Sequence, residues 1–525
     1  MGRRQTPSFT PATRAGNEPA ETLLSRWNES RARLRRRTLP RVLHITHGFG
    51  GGIAKHVDDL TAQATTVDSF ILEPTGSHQE VRLHWKRDPS DSALFFRLPV
   101  ELPLLRQWIR ELEIGLIHFH HVIGIDEGIW ALAEIVPERY FTFHDFFTAC
   151  PRVHLLDSQG RYCALPAPAT CQTCLSQSAQ VPSRDISAWR DLHQRRLRTM
   201  TRWLAPSPAI ATLTRKAFPD LSIEVHPHPE PDLVPSPTAA GDAAAEPPTT
   251  LHVRPLRLAV LGNLDAKKGR DLVLATAERL HRELLAESSG GAVSGATPSI
   301  EFHLIGGLHY FESESELRRR QRHWLRTLSN AATSARVRWI EHGSYNTEMQ
   351  LRARLRESRI QLVWISSLIP ETYSYTLSAA LQTGCWVICN DFGAQGDRVR
   401  SLRRGFCAPP EWRAEDWASW LRQCLRVTPA DFDPDLCVPL ENEPRDFYRT
   451  CYDRAPAPVF ATPAAADSIP PFFSEASIHP LASPYHLSRQ PWSARVGHRV
   501  RETALLRIAK RLLGPALRNL RRRLR

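Results

Sequence analysis

The 525-residue sequence contains no run of 18 uncharged apolar residues, so we expect no membrane-spanning helix. Its first nineteen residues lack the apolar stretch that a secretory signal needs, so we expect no secretion by that route. In that setting the ten cysteines are more often thiols or metal ligands than disulfides. With 42% hydrophobic and 23% charged residues, the composition excludes a fully disordered or collagen-like chain. The length predicts two or three domains.

Positive charge is concentrated at the two ends of the chain. Residues 1–41 carry +7 and residues 489–525 carry +11, so the formal total of +13 leaves −5 for the remainder. A nucleic-acid binder more often has a basic face on the folded domain, so we expect no nucleic-acid partner. Apolar residues recur at spacings of three and four in VGHRVRETALLRIAKRLL, which predicts a basic amphipathic helix for an anionic membrane surface. A helix docked on protein and a solvated tail are the alternatives.

Strand-like and helix-like segments alternate along the first third of the chain. A β-branched stretch beginning at Arg41 runs through the glycine turn HGFGGG into the helical stretch IAKHVDDLTAQA, which is the opening unit of a doubly wound sheet. Further strands are predicted at 69–74, 115–121 and 139–145, and further helices at 102–114 and 128–137. This alternation predicts a parallel sheet.

A second alternating run follows a stretch rich in proline and alanine. Its strands are predicted at 256–264, 301–307, 337–343 and 360–366, its helices at 314–329 and 375–383, and a last strand at 385–391 closes it. We therefore predict an α/β protein with two Rossmann-like, doubly wound parallel-sheet domains that face each other across a cleft. The predicted divisions are a basic extension 1–40, a first domain 41–228 with a cysteine-rich insert 150–174, a linker 229–255, a second domain 256–430, a crossover helix region 431–456 and a proline-rich, basic amphipathic tail 457–525.

Two turns of the second domain carry groups suited to a sugar that bears a diphosphate. Lys268 lies in the turn DAKKG, between a strand and a helix, where a lysine and the positive end of the helix can meet a phosphate. Glu371 precedes another helix, whose first turn is rich in hydroxyl groups and offers free N–H donors. A carboxylate there suits hydrogen bonds from sugar hydroxyls.

Four cysteines fall within 25 residues of a loop-like stretch, at Cys150, Cys163, Cys171 and Cys174. This spacing suits a closed, structural zinc site, for which His154 is a further candidate ligand. Reduced buried thiols and a disulfide formed by oxidation are the alternatives. Two residues after the first cysteine, Arg152 is a candidate contact for an anionic acceptor such as a lipid diphosphate, or else a surface salt-bridge partner.

Four segments in order, RVLHITHGFGGGIAKHV, FTFHDFF, LGNLDAKKGRDLVLA and IPETYSYTLSAALQTGCWVIC, resemble the motifs of glycosyltransferase family 4. The resemblance covers roughly residues 41–430 and implies a GT-B fold with an N-terminal acceptor domain and a C-terminal donor domain. It implies retaining transfer of a sugar from a nucleotide-sugar without a catalytic metal. The first glycine loop has the order G-x-G-G-G, which argues against a nicotinamide-dependent enzyme.

The resemblance assigns roles to individual residues. Lys268 matches the lysine that neutralises the leaving diphosphate, and Glu371 matches a glutamate that contacts the donor sugar. His144, which Asp145 follows and could orient, matches a histidine near the reacting sugar on the acceptor side. The remaining matches are to donor-binding positions, namely Gly50, Gly51 and Gly52 of the first domain and Ser374, Tyr375 and Thr376 of the second. His144 has a structural alternative, as a hydrogen-bonding histidine at a strand end.

Two positions depart from the family pattern. Asn263 stands where the family has a phosphate-binding arginine, and Ala379 stands where a second glutamate usually holds the ribose. The leading hypothesis is a cytoplasmic transferase, peripheral at the inner face of the cell membrane, that acts on a glycan or lipid-linked acceptor in surface polysaccharide or glycolipid synthesis. A catalytically impaired scaffold of the same fold, or a sugar-nucleotide epimerase, are the alternatives.

Overall fold

Two β-sheets, each flanked by helices, form the body of the protein in a computed structural model. The structure describes residues 20–48, 50–75, 79–88, 93–178, 184–230, 251, 253–288, 299–329, 336–400, 405–426 and 451–456. The amphipathic tail 489–525, most of the linker and most of the crossover region lie outside the described residues.

The first sheet has eight strands within the described residues, in the order β4-β3-β2-β1-β5-β6-β7-β8. The strands are β1 (Arg41–Ile45), β2 (Asp68–Pro74), β3 (Glu80–Trp85), β4 (Ala93–Arg97), β5 (Leu116–Phe119), β6 (Glu138–Thr142), β7 (Arg202–Ala205) and β8 (Ile223–Val225). The helices are α1 (Ala20–Arg35), α2 (Gly51–Gln63), α3 (Leu102–Glu111), α4 (Pro168–Ser176), α5 (Ile186–Leu197) and α6 (Pro208–Ala217). Every pairing is parallel except those of β3, which runs antiparallel to β2 and β4.

The second sheet has six parallel strands among the described residues, in the order β11-β10-β9-β12-β13-β14. The strands are β9 (Leu256–Leu264), β10 (Ile300–Leu308), β11 (Val337–Glu341), β12 (Leu362–Ile365), β13 (Trp386–Asn390) and β14 (Gly405–Ala408). The helices are α7 (Arg270–Ser288), α8 (Ser315–Ser329), α9 (Glu348–Glu357), α10 (Tyr375–Gln382), α11 (Gly393–Arg400) and α12 (Ala414–Cys424). The predicted GT-B arrangement of two Rossmann-like domains is confirmed.

Burial explains why the central strands are recognisable in the sequence. All residues of β1, β5 and β12 are buried, as expected for parallel strands covered on both faces, so they read as continuous apolar or β-branched runs. Each sheet has its own hydrophobic clusters, and the largest fully buried side chains include Trp108 in the first domain and Trp364 and Trp417 in the second.

The structure differs from the sequence expectations at several single elements. The helix predicted at 128–137 is a 3-10 helix, Glu127–Ile135. The strand predicted to close the second sheet is followed by another, β14. The antiparallel strands β3 and β4 were not predicted from the sequence. Polar and apolar residues alternate in β3, but both of its faces are buried, and no two-residue turn marks the hairpin.

Both ends of the described chain pack on the first domain. Leu34 of α1 is buried in its core, and Arg33 and Arg37 form ion pairs with the buried carboxylates of Asp88 and Asp68 at 2.9 and 2.8 Å. Part of the basic N-terminal charge is thus neutralised by the acidic body. Residues 451–456 return to the same domain, where Tyr452 is 1% exposed. Among the residues described, none of the helices combines the length and apolar character needed to cross a bilayer.

Candidate active site

Each sheet has a topological switch point, where successive crossovers leave to opposite sides. In the second sheet this point lies between β9 and β12, and in the first sheet it lies between β1 and β5. Ligands of open α/β sheets bind in the crevice outside the carboxyl ends of the strands at such a point. The turn containing Lys268 follows β9 and the loop containing Glu371 follows β12, so both predicted residues flank the switch point of the second domain.

Lys268 and Glu371 form an ion pair between these two loops. The Lys268 side chain is 40% exposed and that of Glu371 is 17% exposed. The lysine turn is fastened to the neighbouring loop, because Ser366 Oγ donates to the Lys268 carbonyl at 2.7 Å and the Leu368 amide donates to the Lys267 carbonyl at 2.9 Å. The result is an accessible cation beside a carboxylate, held on a fixed backbone.

The first turn of α10 adjoins this pair. Its N-cap residue, Ser374, adopts a left-handed conformation (φ +74°), and its hydroxyl lies 3.3 Å from that of Thr376. Arg398 fixes the turn by donating to the carbonyls of Tyr373 and Ser374 at 3.0 and 3.1 Å. Asn263, near the end of β9, is exposed. The three predicted donor-binding residues of the turn are therefore brought to the switch point.

Glu230 is a residue of this region that sequence reasoning missed. It accepts hydrogen bonds from the hydroxyls of Tyr373 and Ser378, and Arg398 lies 4.0 Å away. Burial raises the pKa of the Glu230 carboxyl. Its only sequence signal is an acidic residue in a proline-rich stretch. Ala379, by contrast, is 2% exposed and packs in a hydrophobic cluster.

The glycine loop of the first domain lies beside the second domain. Gly50 and Gly51 both have φ +75°, and a Cβ at either would meet nothing within 4 Å. A Cβ on Gly52 would lie 3.9 Å from the Tyr375 ring, and Lys55 of α2 sits over the same ring at 4.8 Å. The start of α2 thus faces the start of α10.

His144 follows β6 and meets the second domain through its main chain, because Thr372 Oγ1 donates to its carbonyl at 3.0 Å. Asp145 pairs with His121 instead, whose Nε2 lies 2.8 Å from the carboxylate. His121 Nδ1 accepts from the Ile123 amide, so its proton is on Nε2 and is donated to Asp145. Burial alone would raise the pKa of Asp145, but His121 and the Phe147 amide hold it below its ordinary value.

The sequence analysis considered His144 by itself, whereas the structure gathers it with other histidines in one buried cluster. A hydrogen-bonded chain links His44 Nδ1 to His120 Nε2 at 3.1 Å and His120 Nδ1 to His144 Nε2 at 3.2 Å. Burial lowers the pKa of His44 and of His56 to about 3 and lowers that of His144 far below its ordinary value. The cluster is therefore neutral at physiological pH.

The four cysteines of the insert lie in the first domain. Burial raises the pKa of Cys150 to about 11, and the other three cysteines are close enough to raise it further. No three of their Sγ atoms lie within 4.8 Å of one another. The two groups of potential metal ligands that meet this distance among the described residues are both histidine triads. Arg152 donates to the Asp157 carbonyl of its own loop at 3.0 Å. The pKa of His154 is lowered to about 4 by burial and by Lys267 and Lys268, which places it near the lysine turn.

No protein-family model matches the chain, and no curated protein matches it. Solved structures do resemble it. They include Anabaena HepE in complex with UDP-glucose (15% identity, 74% of this chain and 90% of that chain, TM-score 0.43). A second is the E. coli trehalose-6-phosphate protein bound with UDP-2-fluoro glucose (11% identity, 79% of this chain and 98% of that chain, TM-score 0.47). A third is a glycosyltransferase from Rickettsia africae (11% identity, 79% of this chain and 94% of that chain, TM-score 0.47). The fold assignment is based on the strand orders and switch points given above.

Proposed function

We propose that the protein is a retaining glycosyltransferase that uses a nucleotide-sugar donor. The observation that carries the proposal is the Lys268–Glu371 pair at the switch point of the second domain, next to the start of α10, which the glycine loop of the first domain approaches at Tyr375. A transition state with positive character on the sugar and a departing diphosphate needs charge neutralisation above all, and preorganised cations and N–H groups supply it.

In this proposal each group of the crevice has one task. Lys268 neutralises the diphosphate, aided by free N–H groups in the first turn of α10. Glu371 accepts hydrogen bonds from hydroxyls of the donor sugar. The glycine loop approaches the phosphates closely, because it has no Cβ atoms. His144 and Asp145 stand on the acceptor side, as the family resemblance implies.

Calorimetric titration with UDP, GDP and ADP, and with their common sugars, tests the donor site. We expect saturable binding to one nucleotide, weakened about 10- to 150-fold by Lys268→Ala, since a hydrogen bond to a charged group contributes about 1.5–3 kcal/mol. Lys267→Ala is the matched control, because it removes the same charge from the same turn without touching the pair with Glu371. Equal losses in both variants would contradict the assigned role of Lys268.

A second candidate is a scaffold that has kept the fold and lost the chemistry. It is favoured by the apolar burial of Ala379, which leaves no carboxylate at that position of α10. A folded protein that binds none of the nucleotides would support this candidate. If the nucleotide binds, sugar transfer by the wild type decides between the two. In the transferase, His144→Ala should abolish that transfer and leave donor binding nearly unchanged.

We further propose that the acceptor is a glycan or a lipid-linked sugar, in the synthesis of surface polysaccharide or glycolipid. Arg152 would meet an anionic acceptor, and residues 489–525 would hold the protein peripherally at an anionic membrane face. Removing 489–525 should release the protein from anionic vesicles at low salt, because basic side chains and an apolar stripe supply the attraction. Unchanged co-sedimentation would contradict the membrane role. We also propose a structural zinc at the four cysteines, with reduced thiols as the alternative; binding would require their Sγ atoms to come closer together than they lie in the structure.

A further inference from the structure

Three buried histidines from three different elements converge beside the domain boundary. They are His56 of α2, His144 after β6 and His228 after β8. Their ring centroids are 4.1 Å apart for His56 and His228, 4.8 Å for His56 and His144, and 5.1 Å for His144 and His228. One ring nitrogen of each lies within 4.8 Å of one ring nitrogen of the others.

These rings present nitrogens that make no hydrogen bond. His56 is 5% exposed and has no partner at either nitrogen, His144 is 7% exposed with Nδ1 unpaired, and His228 is 5% exposed with Nε2 unpaired. A buried polar atom without a partner costs about 1–3 kcal/mol. Several such atoms on converging rings therefore indicate a ligand that all three imidazoles share.

The other nitrogens of two rings have hydrogen-bond partners of their own. His144 Nε2 lies 3.2 Å from His120 Nδ1, and His228 Nδ1 lies 3.1 Å from Tyr375 Oη. A ligating histidine typically donates its second N–H to an acceptor, most often a carboxylate, a backbone carbonyl or water. Here an imidazole and a phenol can take that place, which fixes the tautomer and leaves the other lone pair free for a metal. If His144 Nε2 donates to His120 Nδ1, then His120 carries its proton on Nε2 and can donate it to His44 Nδ1.

We propose that His56, His144 and His228 form a binding site for a divalent transition metal, of the zinc class, with three imidazole ligands. Neutral imidazoles suit zinc, copper, nickel and iron, and three histidines leave a fourth position for water or another ligand. Bonds of about 2.0–2.1 Å put ligand nitrogens roughly 3.4 Å apart in a tetrahedral site, and the three ring nitrogens lie within 4.8 Å of one another.

A second triad, His44, His118 and His120, meets the same distance criterion but is a weaker candidate. Both nitrogens of His118 are already occupied, by Tyr452 Oη and Thr142 Oγ1 at 2.7 Å each. Ligation there would have to break a good hydrogen bond, whereas ligation by the first triad satisfies nitrogens that have no partner. The proposal does not depend on sugar transfer, because it is argued from the positions of the three rings, although His144 and Tyr375 also have roles in the proposed transferase.

Cobalt(II) titration of the full-length protein, after treatment with a chelator, tests the site by the visible absorption of the bound ion. We expect one equivalent bound at the triad with the spectrum of nitrogen ligands, displaced by zinc. His56→Gln and His228→Gln should each abolish that signal, and Tyr375→Phe should weaken binding about 10- to 100-fold, since loss of a partner of a ligating histidine typically has this effect.

Two control variants make the test specific. His44→Gln alters the second triad and should retain the signal, and Cys163→Ser should leave it unchanged while reducing any thiolate absorption from the cysteine insert. Circular dichroism melts check that each variant is folded. Equal binding by wild type, His56→Gln and His228→Gln would overturn the proposal, as would an absence of binding by the wild type. If a histidine variant does not fold, a purely thiolate spectrum in the wild type would overturn it instead.

Discussion

Replacing Gly269 with alanine should damage the turn that carries Lys268. Gly269 has φ +85°, and a Cβ there would lie 2.1 Å from the carbonyl oxygen of Ser366 and 2.9 Å from its carbonyl carbon. Because both of these atoms belong to the backbone, no side-chain rotation can relieve the contact. The turn has to move away from the loop after β12.

The size of the effect follows from two contributions. A left-handed conformation costs an alanine about 1–2 kcal/mol. Moving the turn also breaks the bonds from Ser366 Oγ to the Lys268 carbonyl and from the Leu368 amide to the Lys267 carbonyl, at about 1 kcal/mol each. We therefore expect a loss of about 3–4 kcal/mol in unfolding free energy, which for a domain of this size lowers Tm by roughly 6–16 °C.

Scanning calorimetry measures this loss, and Gly343→Ala is the matched control. Gly343 also has a positive φ, of +72°, but a Cβ there would meet nothing within 4 Å. Gly343→Ala should therefore lower the unfolding free energy only by the cost of the left-handed conformation, about 1–2 kcal/mol, which lowers Tm by roughly 2–8 °C. Equal shifts in the two variants would refute the steric reasoning. Unchanged nucleotide binding by Gly269→Ala would show that this turn does not position Lys268.

Two further predictions concern buried groups of the first domain. Burial raises the pKa of Glu73 to about 6, although Arg82 opposes the shift, so the native state binds more protons than the unfolded state between pH 4.5 and 6. The contribution of Glu73 to stability should fall by about 2 kcal/mol as pH rises through that window. Urea unfolding of Glu73→Gln should lack this contribution, and the same pH slope in both proteins would contradict it. Tyr452→Phe should lower the unfolding free energy, measured in urea, by about 1–3 kcal/mol, because it leaves His118 Nδ1 unpaired. The hydroxyl of Tyr310 makes no hydrogen bond, so Tyr310→Phe should leave the unfolding free energy nearly unchanged. Equal effects of the two tyrosine variants would contradict the bond to His118.

The donor side of the crevice was predictable from the sequence because its determinants are local. Strand β9 has the predicted bounds, 256–264, and the turn after it was identified by a glycine and two lysines in succession. Its neighbour β12 is a short apolar run followed by the loop of Glu371. The carboxyl ends of parallel strands share one edge, so placing each loop after its strand was enough to predict that Lys268 and Glu371 face one cleft, although their ion pair was not predicted.

The histidine triad could not be predicted in this way, because its members are far apart in sequence. His228 lies in a stretch whose prolines indicate a linker, and His56 lies in a helix with no feature that marks it as a ligand. Only the fold brings them to His144. The same holds for Glu230, whose partners Tyr373 and Ser378 are more than 140 residues away.

The proposed nucleotide site and the histidine triad are joined by one short segment of the second domain. Thr372 donates to the carbonyl of His144, and Tyr375 pairs with His228 while its neighbours Ser374 and Thr376 form the first turn of α10. A ligand that shifts this segment therefore shifts contacts of the other site. Suppose that the metal and the nucleotide favour different positions of this segment. Each ligand must then change the protein's affinity for the other by the same factor, because coupling between two binding equilibria is reciprocal.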